Sequence, residues 1–399
     1  RSTPPVSSAA SDVYKRQVQK ACGKLLNNRA GSISVMDIYT GDIIAMYSSP
    51  SYDPNKFLFG ISNDDWELIR NNPLKPLVNK TLSGLYSPGS TIKPIVALSA
   101  LENKIVSPSF KVKCTGKMEL YGQTFHCWKE KGHGFVSLKN AMKQSCDTYF
   151  YEVARLLGVD RLNVTAEKFG LGKKVLGDYF DFEKSGLFPN TKWKKNNLGK
   201  GWVLGETLIT GIGQGYTQTT PLQLCLMTAQ IANGGYSIKP RIIADKNPIS
   251  LEETKRKLKE ETLHAQEKKL FNDPKNIKIV QEAMFSSTNE LYGTSYKSRI
   301  DDPKYQFAGK TGTAQVKRIS MRERELDLKI EQIPYKDRDH ALYVAYGPYI
   351  DPRYALSIIV EHGGSGSRTA APIAKELFKL IIDRNDLRNK QKNFEELKI

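Results

Sequence analysis

Hydrophobic residues at the start of the chain follow first a helical and then a strand period. Those between 18 and 26 recur every three to four positions, which predicts an amphipathic helix that ends before Gly31. The segments 32–38 and 43–48 flank the Thr40-Gly41 turn and predict two strands. The chain is therefore expected to open with a helix followed by a strand pair.

A second set of strands is predicted near the other end of the chain. Residues 307–316, 341–349 and 354–361 alternate between apolar and polar positions, and Asp351-Pro352 supplies the turn before the last of them. Helical periodicity returns at 372–382. Because the five strands come from both ends of the chain, we expect the terminal helices to cover the outer face of their sheet.

The middle of the chain is dominated by helical patterns. Pro88-Gly89 breaks the chain and a buried helix follows, in which Pro94 is tolerated because it falls in the first turn. Further helical patterns cover 138–157, 161–169 and 221–232.

The pattern as a whole predicts a mixed α/β (α+β) fold with two subdomains. A sheet subdomain spans about 18–60 and 300–385, and an all-helical subdomain spans about 85–235. Residues 1–17 are expected to be a non-native or disordered leader, because Asp12–Gln17 matches a translated sequencing adapter. The rest of the chain is expected to form one domain.

The chain of 399 residues carries a formal net charge of +18, which raises the question of nucleic-acid binding. It contains no recognisable nucleic-acid motif, and lysine alternates with glutamate in 252–261, as is typical of a solvated helix face. We therefore expect no nucleic-acid partner and assign the charge to attraction toward anionic lipid or cell-wall polymer. No apolar run reaches the roughly 18 residues of a membrane span.

Three short strings indicate the chemistry: Ser90-Thr91-Ile92-Lys93, Ser145-Cys146-Asp147 and Lys310-Thr311-Gly312-Thr313. They match SxxK, SxD and KTG(T), the set found in active-site-serine enzymes that attack penicillin-like rings and peptides ending in D-alanine. Single matches of this size arise by chance, but the order and wide separation of all three indicate a serine acyl-transfer site.

Acyl transfer needs a nucleophile, a base and donors for the developing oxyanion. Ser90 at a helix N-terminus would present its Oγ near free backbone N–H groups. Lys93, one turn later, would face the same way and act as base once it is neutral. Lys310 is the second cation expected to lower the pKa of Lys93. Gly312 is expected to let a peptide substrate approach the strand backbone.

The sequence around these strings resembles the transpeptidase domain of class B penicillin-binding proteins, most closely the penicillin-binding protein 2 group of cell-elongation enzymes. The resemblance runs from about Val18 to about Arg384. It rests on the three strings and on further segments: residues 36–42, 49–55, 86–89, 212–216, 220–223 and 361–366. It implies a β-lactamase/transpeptidase-like fold with a five-stranded antiparallel sheet. It also implies a membrane anchor and an N-terminal pedestal domain that are absent from this chain.

The resemblance assigns roles to the first and third strings. The N–H groups of Ser90 and Thr313 would form the oxyanion hole. Lys310 would supply positive charge, and the hydroxyl of Thr311 or Thr313 would hold the terminal carboxylate of the substrate.

The resemblance also assigns roles to two residues of the second string. Ser145 would pass a proton to the leaving amine. Asp147 replaces the commoner asparagine, as in the penicillin-binding protein 2 group. An ionised Asp can only accept hydrogen bonds, so we expect it to bind Lys93 or a substrate amide N–H.

A second candidate site combines Cys114, Cys127, His133 and Cys146. Their spacing is not that of a standard zinc finger, so the spacing alone is weak. Cys146 lies in the middle of the second string, and alternation along an extended stretch would turn it away from the substrate. Some members of the penicillin-binding protein 2 group carry zinc at closely similar positions, so the resemblance implies a structural Zn²⁺ site.

Two alternatives to this zinc site stay open, and so does the identity of its histidine ligand. Cys114 and Cys127 would form a disulfide in an oxidising compartment, with Cys146 buried. All three thiols would otherwise be free, and His126 would be an alternative ligand to His133. Cys22 and Cys225 lie in apolar helical patterns and are assigned to the core, which completes the five cysteines of the chain.

The sequence thus predicts a D,D-transpeptidase that cross-links peptidoglycan stem peptides through a Ser90 acyl-enzyme and is acylated by β-lactams, with no cofactor needed for acyl transfer. The resemblance implies a bacterial inner-membrane enzyme whose domain lies in the periplasm. Its expected partners are a membrane glycosyltransferase and other elongation-complex proteins. A β-lactam sensor domain and a serine β-lactamase would use the same strings. Residues 49–55 and 213–223 argue against the sensor, and the chain length and the lack of an obvious deacylating Glu argue against the β-lactamase.

Overall fold

The computed structural model describes residues 6–243, 250–259, 269–317 and 330–396. The strands within these ranges are β1 (Gly31–Asp37), β2 (Ile43–Ser49), β3 (Lys111–Cys114), β4 (Lys117–Leu120), β5 (Gln123–His126), β6 (Gly134–Ser137), β7 (Ala308–Ala314), β8 (His340–Gly347) and β9 (Tyr354–Val360). Five of these described strands form one antiparallel sheet in the order β2-β1-β9-β8-β7. The predicted fold class is confirmed.

The described residues also form α-helices. They are α1 (Val6–Leu26), α2 (Asn63–Arg70), α3 (Lys80–Ser83), α4 (Lys93–Glu102), α5 (Leu138–Lys143), α6 (Asp147–Leu157), α7 (Val159–Lys168), α8 (Thr191–Leu198), α9 (Leu204–Thr210), α10 (Pro221–Ala232), α11 (Leu251–Lys259), α12 (Pro274–Asn289) and α13 (Ala371–Glu396). Within the same ranges, none of the helices combines the length and the apolar character that crossing a bilayer requires.

The terminal helices α1 and α13 cover one face of the sheet, as predicted. Val18, Cys22 and Leu26 of α1 are fully buried in the same apolar cluster as Phe378 of α13. Phe378 stacks on Phe307, which precedes β7, with ring centroids 5.0 Å apart. Burial of apolar surface on this face therefore holds the two ends of the chain together.

Helix α10 covers the opposite face and is buried along its whole length. The Thr220 side chain accepts from the N–H of Gln223, the Gln223 side chain accepts from the N–H of Thr220, and Pro221 occupies the first turn. Ser357 of β9 donates to Pro221 O at 2.6 Å. On the same side of the sheet, the helix Pro274–Asn289 and the Gly89–Ile92 turn before α4 pack on β7.

Several elements differ from the sequence prediction. The helix expected over 138–157 is divided into α5 and α6, because residues 144–146 form a turn. Helix α1 extends back to Val6, into the predicted leader, and its Gln17 accepts a hydrogen bond from Arg384 of α13. The expected helix over 252–261 is present as α11, and its last two residues lie outside the described ranges. The small strands β3–β6 and the helices α8, α9 and α12 were not predicted.

The stacked Phe378 gives a test of the layer formed by α1 and α13. Phe378→Ala should lower the free energy of unfolding by about 3–5 kcal/mol, because it leaves a cavity beside Phe307. Glu376→Ala, on the exposed side of the same helix, should change it by less than about 0.5 kcal/mol. Urea denaturation followed by circular dichroism measures both. Equal stabilities of the two variants would contradict the assignment of Phe378 to the core.

Candidate active site and sulfur cluster

Ser90 lies in a 3₁₀ turn, Gly89–Ile92, directly before α4. Gly89 has a φ of 52° and donates its N–H to Gly213 O at 2.9 Å. A Cβ added to Gly89 would lie 2.5 Å from Thr313 O, so this position needs glycine both for its backbone conformation and for the close approach of β7. The turn therefore holds Ser90 against β7, the strand that contains Lys310-Thr311-Gly312-Thr313 and that we call the KTG strand. Ser90 remains half-buried.

Lys93 begins α4 and is fully buried. Its Nζ donates to Asp147 Oδ1 at 2.7 Å, to Ser145 O at 3.0 Å and to Ser145 Oγ at 3.2 Å. Nζ also lies 5.1 Å from the centre of the Phe150 ring. The expected bond between Asp147 and Lys93 is present, and it joins the first string to the second.

Lys310 of β7 approaches the same hydroxyl from the other side. Its Nζ donates to Ser145 Oγ at 2.9 Å and to Thr311 O at 3.0 Å, and its side chain is fully buried. Burial, followed by the charge of Lys93, lowers the pKa of Lys310 well below its usual value, and Asp147 opposes that effect. This direction of the pKa shift favours loss of a proton from Lys310 in the free protein, and its role as a cation toward substrate stays a prediction.

The turn between α5 and α6, Gln144–Cys146, sets the direction of the Ser145 side chain. Ser145 has a φ of 54°, a conformation that non-glycine residues adopt only when neighbouring contacts hold it. Here the N–H of Ser145 donates to Met142 O at 3.2 Å, and that of Cys146 donates to Ala141 O at 2.9 Å. We call this segment the SxD turn.

Trp128, which the sequence analysis missed, supports the SxD turn from outside. Its backbone N–H donates to Asp147 Oδ2 at 3.0 Å, and its indole Nε1 donates to Ser145 O at 3.0 Å. The only sequence signal was its position next to Cys127. Gln214 was also given no role, although it lies in a segment that carried the resemblance; its side chain donates to Thr313 O at 3.1 Å.

Gly312 packs against the turn that carries Ser90. An added Cβ would lie 2.7 Å from Thr91 Cγ2, in the Gly89–Ile92 turn, and 3.1 Å from the carbonyl oxygen of Pro88, which precedes that turn. Glycine at this position therefore allows β7 to pack against the turn that carries Ser90. Thr313, one residue later, is exposed.

Behind the SxD turn, Cys114, Cys127, His133 and Cys146 form a group that we call the sulfur cluster. One ligand atom from each lies within 4.8 Å of the others. His133 Nδ1 is 3.5 Å from Cys114 Sγ and 3.6 Å from Cys127 Sγ. All five cysteines of the chain are free in this structure, and His126 is not a member of the group.

The sulfur cluster contacts the SxD turn directly. The N–H of Asp147 donates to Cys127 Sγ at 3.4 Å, and Cys146 is fully buried within the cluster. A hydrogen bond from Cys146 is the main cause that lowers the pKa of the Cys127 thiol and raises that of Cys146. The cluster therefore favours thiolate at one sulfur, which is the form that binds metal.

Residues 31–379 match the model of the penicillin-binding protein transpeptidase domain. The chain belongs to the penicillin-binding protein transpeptidase family. Acyl transfer in this family needs no cofactor.

Two relatives within the family are similar to this chain over most of its length. The peptidoglycan D,D-transpeptidase MrdA of Salmonella typhimurium is 35% identical over 370 residues, which cover 92% of this chain and 58% of that protein. PBP2 of Pseudomonas aeruginosa, in complex with WCK 5153, is 37% identical with a TM-score of 0.77, covering 92% of this chain and 74% of that one. The chain thus spans little more than half the length of the curated relatives it matches, and its predicted resemblance to penicillin-binding protein 2 is confirmed.

A third relative was solved together with a partner protein. PBP2 of Helicobacter pylori, solved in complex with MreC, is 31% identical with a TM-score of 0.76, covering 94% of this chain and 63% of that one.

The buried Lys310 should affect how stability depends on pH. Its folded-state pKa lies well below the value of about 10.4 for an exposed lysine, so between the two values the unfolded chain binds more protons than the folded protein. Stability then rises with pH across that window, by up to about 1.4 kcal/mol per pH unit from this residue. Lys310→Met should reduce the slope of the unfolding free energy on the alkaline side of neutrality, measured by urea denaturation at several pH values. An unchanged slope would show that Lys310 is charged in the folded protein.

Proposed function

We propose that this chain is the catalytic domain of a peptidoglycan D,D-transpeptidase that cross-links stem peptides during cell-wall elongation. One observation carries the proposal: the Nζ atoms of Lys93 and Lys310 lie 3.2 and 2.9 Å from the same Ser145 Oγ. Ser90 lies one turn before Lys93. Two buried amines that share a hydroxyl can transfer protons between a serine nucleophile and a leaving amine.

In the first half-reaction, the substrate carboxylate beside Lys310 favours the protonated form of that amine, so a proton passes from Lys93 to Lys310 through Ser145 Oγ, which both amines contact. Ser90 Oγ then attacks the carbonyl carbon of the penultimate D-alanine of a donor stem peptide, and the neutral Lys93 takes the hydroxyl proton. Asp147 Oδ1, 2.7 Å from Lys93 Nζ, stabilises the resulting ammonium. The C–N bond to the terminal D-alanine then breaks as Ser145 passes its proton to the departing amine and takes one in return from the Lys93 ammonium, which becomes neutral again. The donor peptide remains as an ester on Ser90.

In the second half-reaction, the amine of another stem peptide attacks that ester. The new C–N bond forms as the bond to Ser90 Oγ breaks, and the proton lost by the amine returns to Ser90 through Lys93. The N–H groups of Ser90 and Thr313 stabilise the oxyanion in both steps. The product is the peptide cross-link, and the enzyme is regenerated.

The third string recognises the end of the donor peptide. The hydroxyl of Thr311 or Thr313 binds the terminal carboxylate, and Lys310 lies beside them. The pKa of Lys310 is low in the free protein, but an anion beside it favours the protonated form. Lys310 therefore provides positive charge when the carboxylate arrives, without a permanently buried charge in the free enzyme.

β-Lactams carry the same carboxylate and a reactive amide, so they acylate Ser90 by the same first step. A β-lactamase must then activate a water molecule to attack the ester. The carboxylate beside the two lysines, Asp147, already accepts hydrogen bonds from Lys93 and from the N–H of Trp128. A sensor domain would share the acylation step, but the relative named above as a D,D-transpeptidase favours turnover of peptide substrates.

The partners and location follow the same relatives. We propose that the domain works in the periplasm, at the bacterial inner membrane, together with a membrane glycosyltransferase that supplies glycan strands. The MreC complex of the Helicobacter pylori relative supports other elongation-complex proteins as partners. The net charge of +18 favours approach to anionic lipid and wall polymer.

Covalent labelling tests the nucleophile. Ser90→Ala should abolish labelling by a fluorescent penicillin with little change in melting temperature, because one partly exposed hydroxyl contributes little stability. Mass spectrometry of the wild-type protein should place a long-lived penicilloyl adduct on Ser90. An adduct on Ser87 or Ser145, or rapid hydrolysis of a chromogenic cephalosporin, would argue against this function.

We also propose that the sulfur cluster holds a structural zinc ion through Cys114, Cys127, Cys146 and His133. Tetrahedral zinc, with Zn–N of about 2.1 Å and Zn–S of about 2.3 Å, separates nitrogen and sulfur ligands by about 3.6 Å. The separations of 3.5 and 3.6 Å from His133 Nδ1 to two sulfurs support this donor set. Zinc would join β3 and the segment after β5 to the SxD turn and would take no part in acyl transfer.

Removal of one ligand tests the zinc site. Cys146→Ser should lower the zinc content and the melting temperature, and it should slow acylation of Ser90 because the SxD turn loses its anchor. Cys225→Ser, a fully buried cysteine in α10 outside the cluster, is the control and should leave the zinc content unchanged. Elemental analysis that finds no metal in the wild-type protein, with a Cys114–Cys127 crosslink, would establish the disulfide instead.

A further inference from the structure

A chain of three hydroxyl groups begins at the KTG strand and leads away from the site. Thr311 Oγ1 donates to Thr294 Oγ1 at 2.9 Å, and Thr294 Oγ1 lies 3.2 Å from Ser287 Oγ. Thr311 and Ser287 are buried and Thr294 is half-buried, so water competes weakly for these bonds. Neither Thr294 nor Ser287 belongs to the three strings.

Thr294 is held in place independently of Thr311. Its backbone N–H donates to Lys143 O at 3.1 Å, at the end of α5 and next to the SxD turn. Glu290, in the same loop, forms salt bridges with two lysines of α5, including one of 3.2 Å to Lys143. The loop 290–295, which we call the bridging loop, therefore connects the SxD side of the site to β7.

The number of hydrogens in this row of three hydroxyl groups limits the hydrogen bonds that Thr311 can donate. A threonine hydroxyl has one hydrogen to donate and two lone pairs to accept with. In the free protein Thr311 gives its hydrogen to Thr294, so none is left for a carboxylate. If Thr311 turns its hydrogen toward a bound carboxylate, its oxygen needs a donor in exchange. Thr294 can supply that donor by rotating its own hydroxyl, and Ser287 can then donate to Thr294.

We propose that Thr294 is a positioning residue for the substrate carboxylate, and that the three hydroxyls reverse their direction of donation together when the carboxylate binds. In the reversed chain Ser287 donates to Thr294, Thr294 to Thr311, and Thr311 to the anion. Hydrogen bonds that run in one direction polarise each other, which strengthens the last, charge-assisted bond. The inference rests on the proposed role of Thr311 in binding that carboxylate.

A comparison of an acid with its ester isolates this effect. We expect Thr294→Val, which removes the hydroxyl at nearly constant volume, to slow acylation by benzylpenicillin about tenfold, the usual scale for weakening a bond to a charged group. Acylation by the methyl ester of the same penicillin should stay near the wild-type rate, because that group carries no charge. Thr294→Ser retains the hydroxyl and should restore the wild-type ratio of the two rates.

A matched control lies in the neighbouring hydroxyl network. Thr288 Oγ1 lies 3.1 Å from Ser295 Oγ and 3.0 Å from Tyr343 OH, so Thr288→Val removes a buried hydroxyl of the same region that does not bond Thr311. This variant should keep the wild-type ratio of acid to ester rates. A fall in that ratio as large as in Thr294→Val would overturn the specific role of Thr294.

The remaining outcomes separate the inference from the function on which it rests. If Thr311→Val lowers the ratio and Thr294→Val does not, the positioning role is wrong and the role of Thr311 stands. If Thr311→Val leaves the ratio unchanged, the carboxylate role of Thr311 fails and the inference fails with it. Equal slowing of acid and ester in Thr294→Val would show general loosening and would also overturn it. If Thr294→Val does not fold, Thr294→Ala is judged by the same ratio.

Discussion

Two lysine side chains are buried against one serine hydroxyl, and the rest of the site is arranged to permit this. A buried ammonium costs several kcal/mol unless a counter-charge compensates for it or the group loses its proton. The structure uses both solutions, since Lys93 lies 2.7 Å from the Asp147 carboxylate and burial lowers the pKa of Lys310. The burial that opposes folding therefore also favours a neutral Lys310 amine, which can accept a proton.

Close packing of backbone keeps these groups together. The turn that carries Ser90 is enclosed by Gly213 on one side and by β7 on the other. A Cβ at Gly213 would lie 2.2 Å from Gly89 O, and one at Gly312 would lie 2.7 Å from Thr91 Cγ2. Glycine at these positions lets three segments that are distant in the chain meet at van der Waals distance, which fixes Ser90 relative to Lys310.

The SxD turn needs support of its own, because Ser145 has a strained backbone conformation. Trp128 and the sulfur cluster hold it on one side, through bonds to Ser145 O, Asp147 Oδ2 and the Asp147 N–H. The bridging loop holds the end of α5 on the other side. The groups that contact substrate in the proposed mechanism are thus positioned by residues that do not.

The sequence by itself determined the five strands, the terminal helices and the three strings, whereas only the structure brings Cys114, Cys127, His133 and Cys146 together. Strand and helix periods are local properties of the chain, and the strings are short, so neither requires knowledge of distant contacts. Only the tertiary structure decided that the 138–157 helix breaks at Ser145, that Gly312 packs against the Gly89–Ile92 turn and that burial lowers the pKa of Lys310. It also decided that Trp128 and Thr294 take part, since their bonds join residues 19 and 17 positions apart in the chain. Burial, electrostatic shifts and bonds of this range depend on which surfaces meet when the sheet and helices pack, and no local pattern records that.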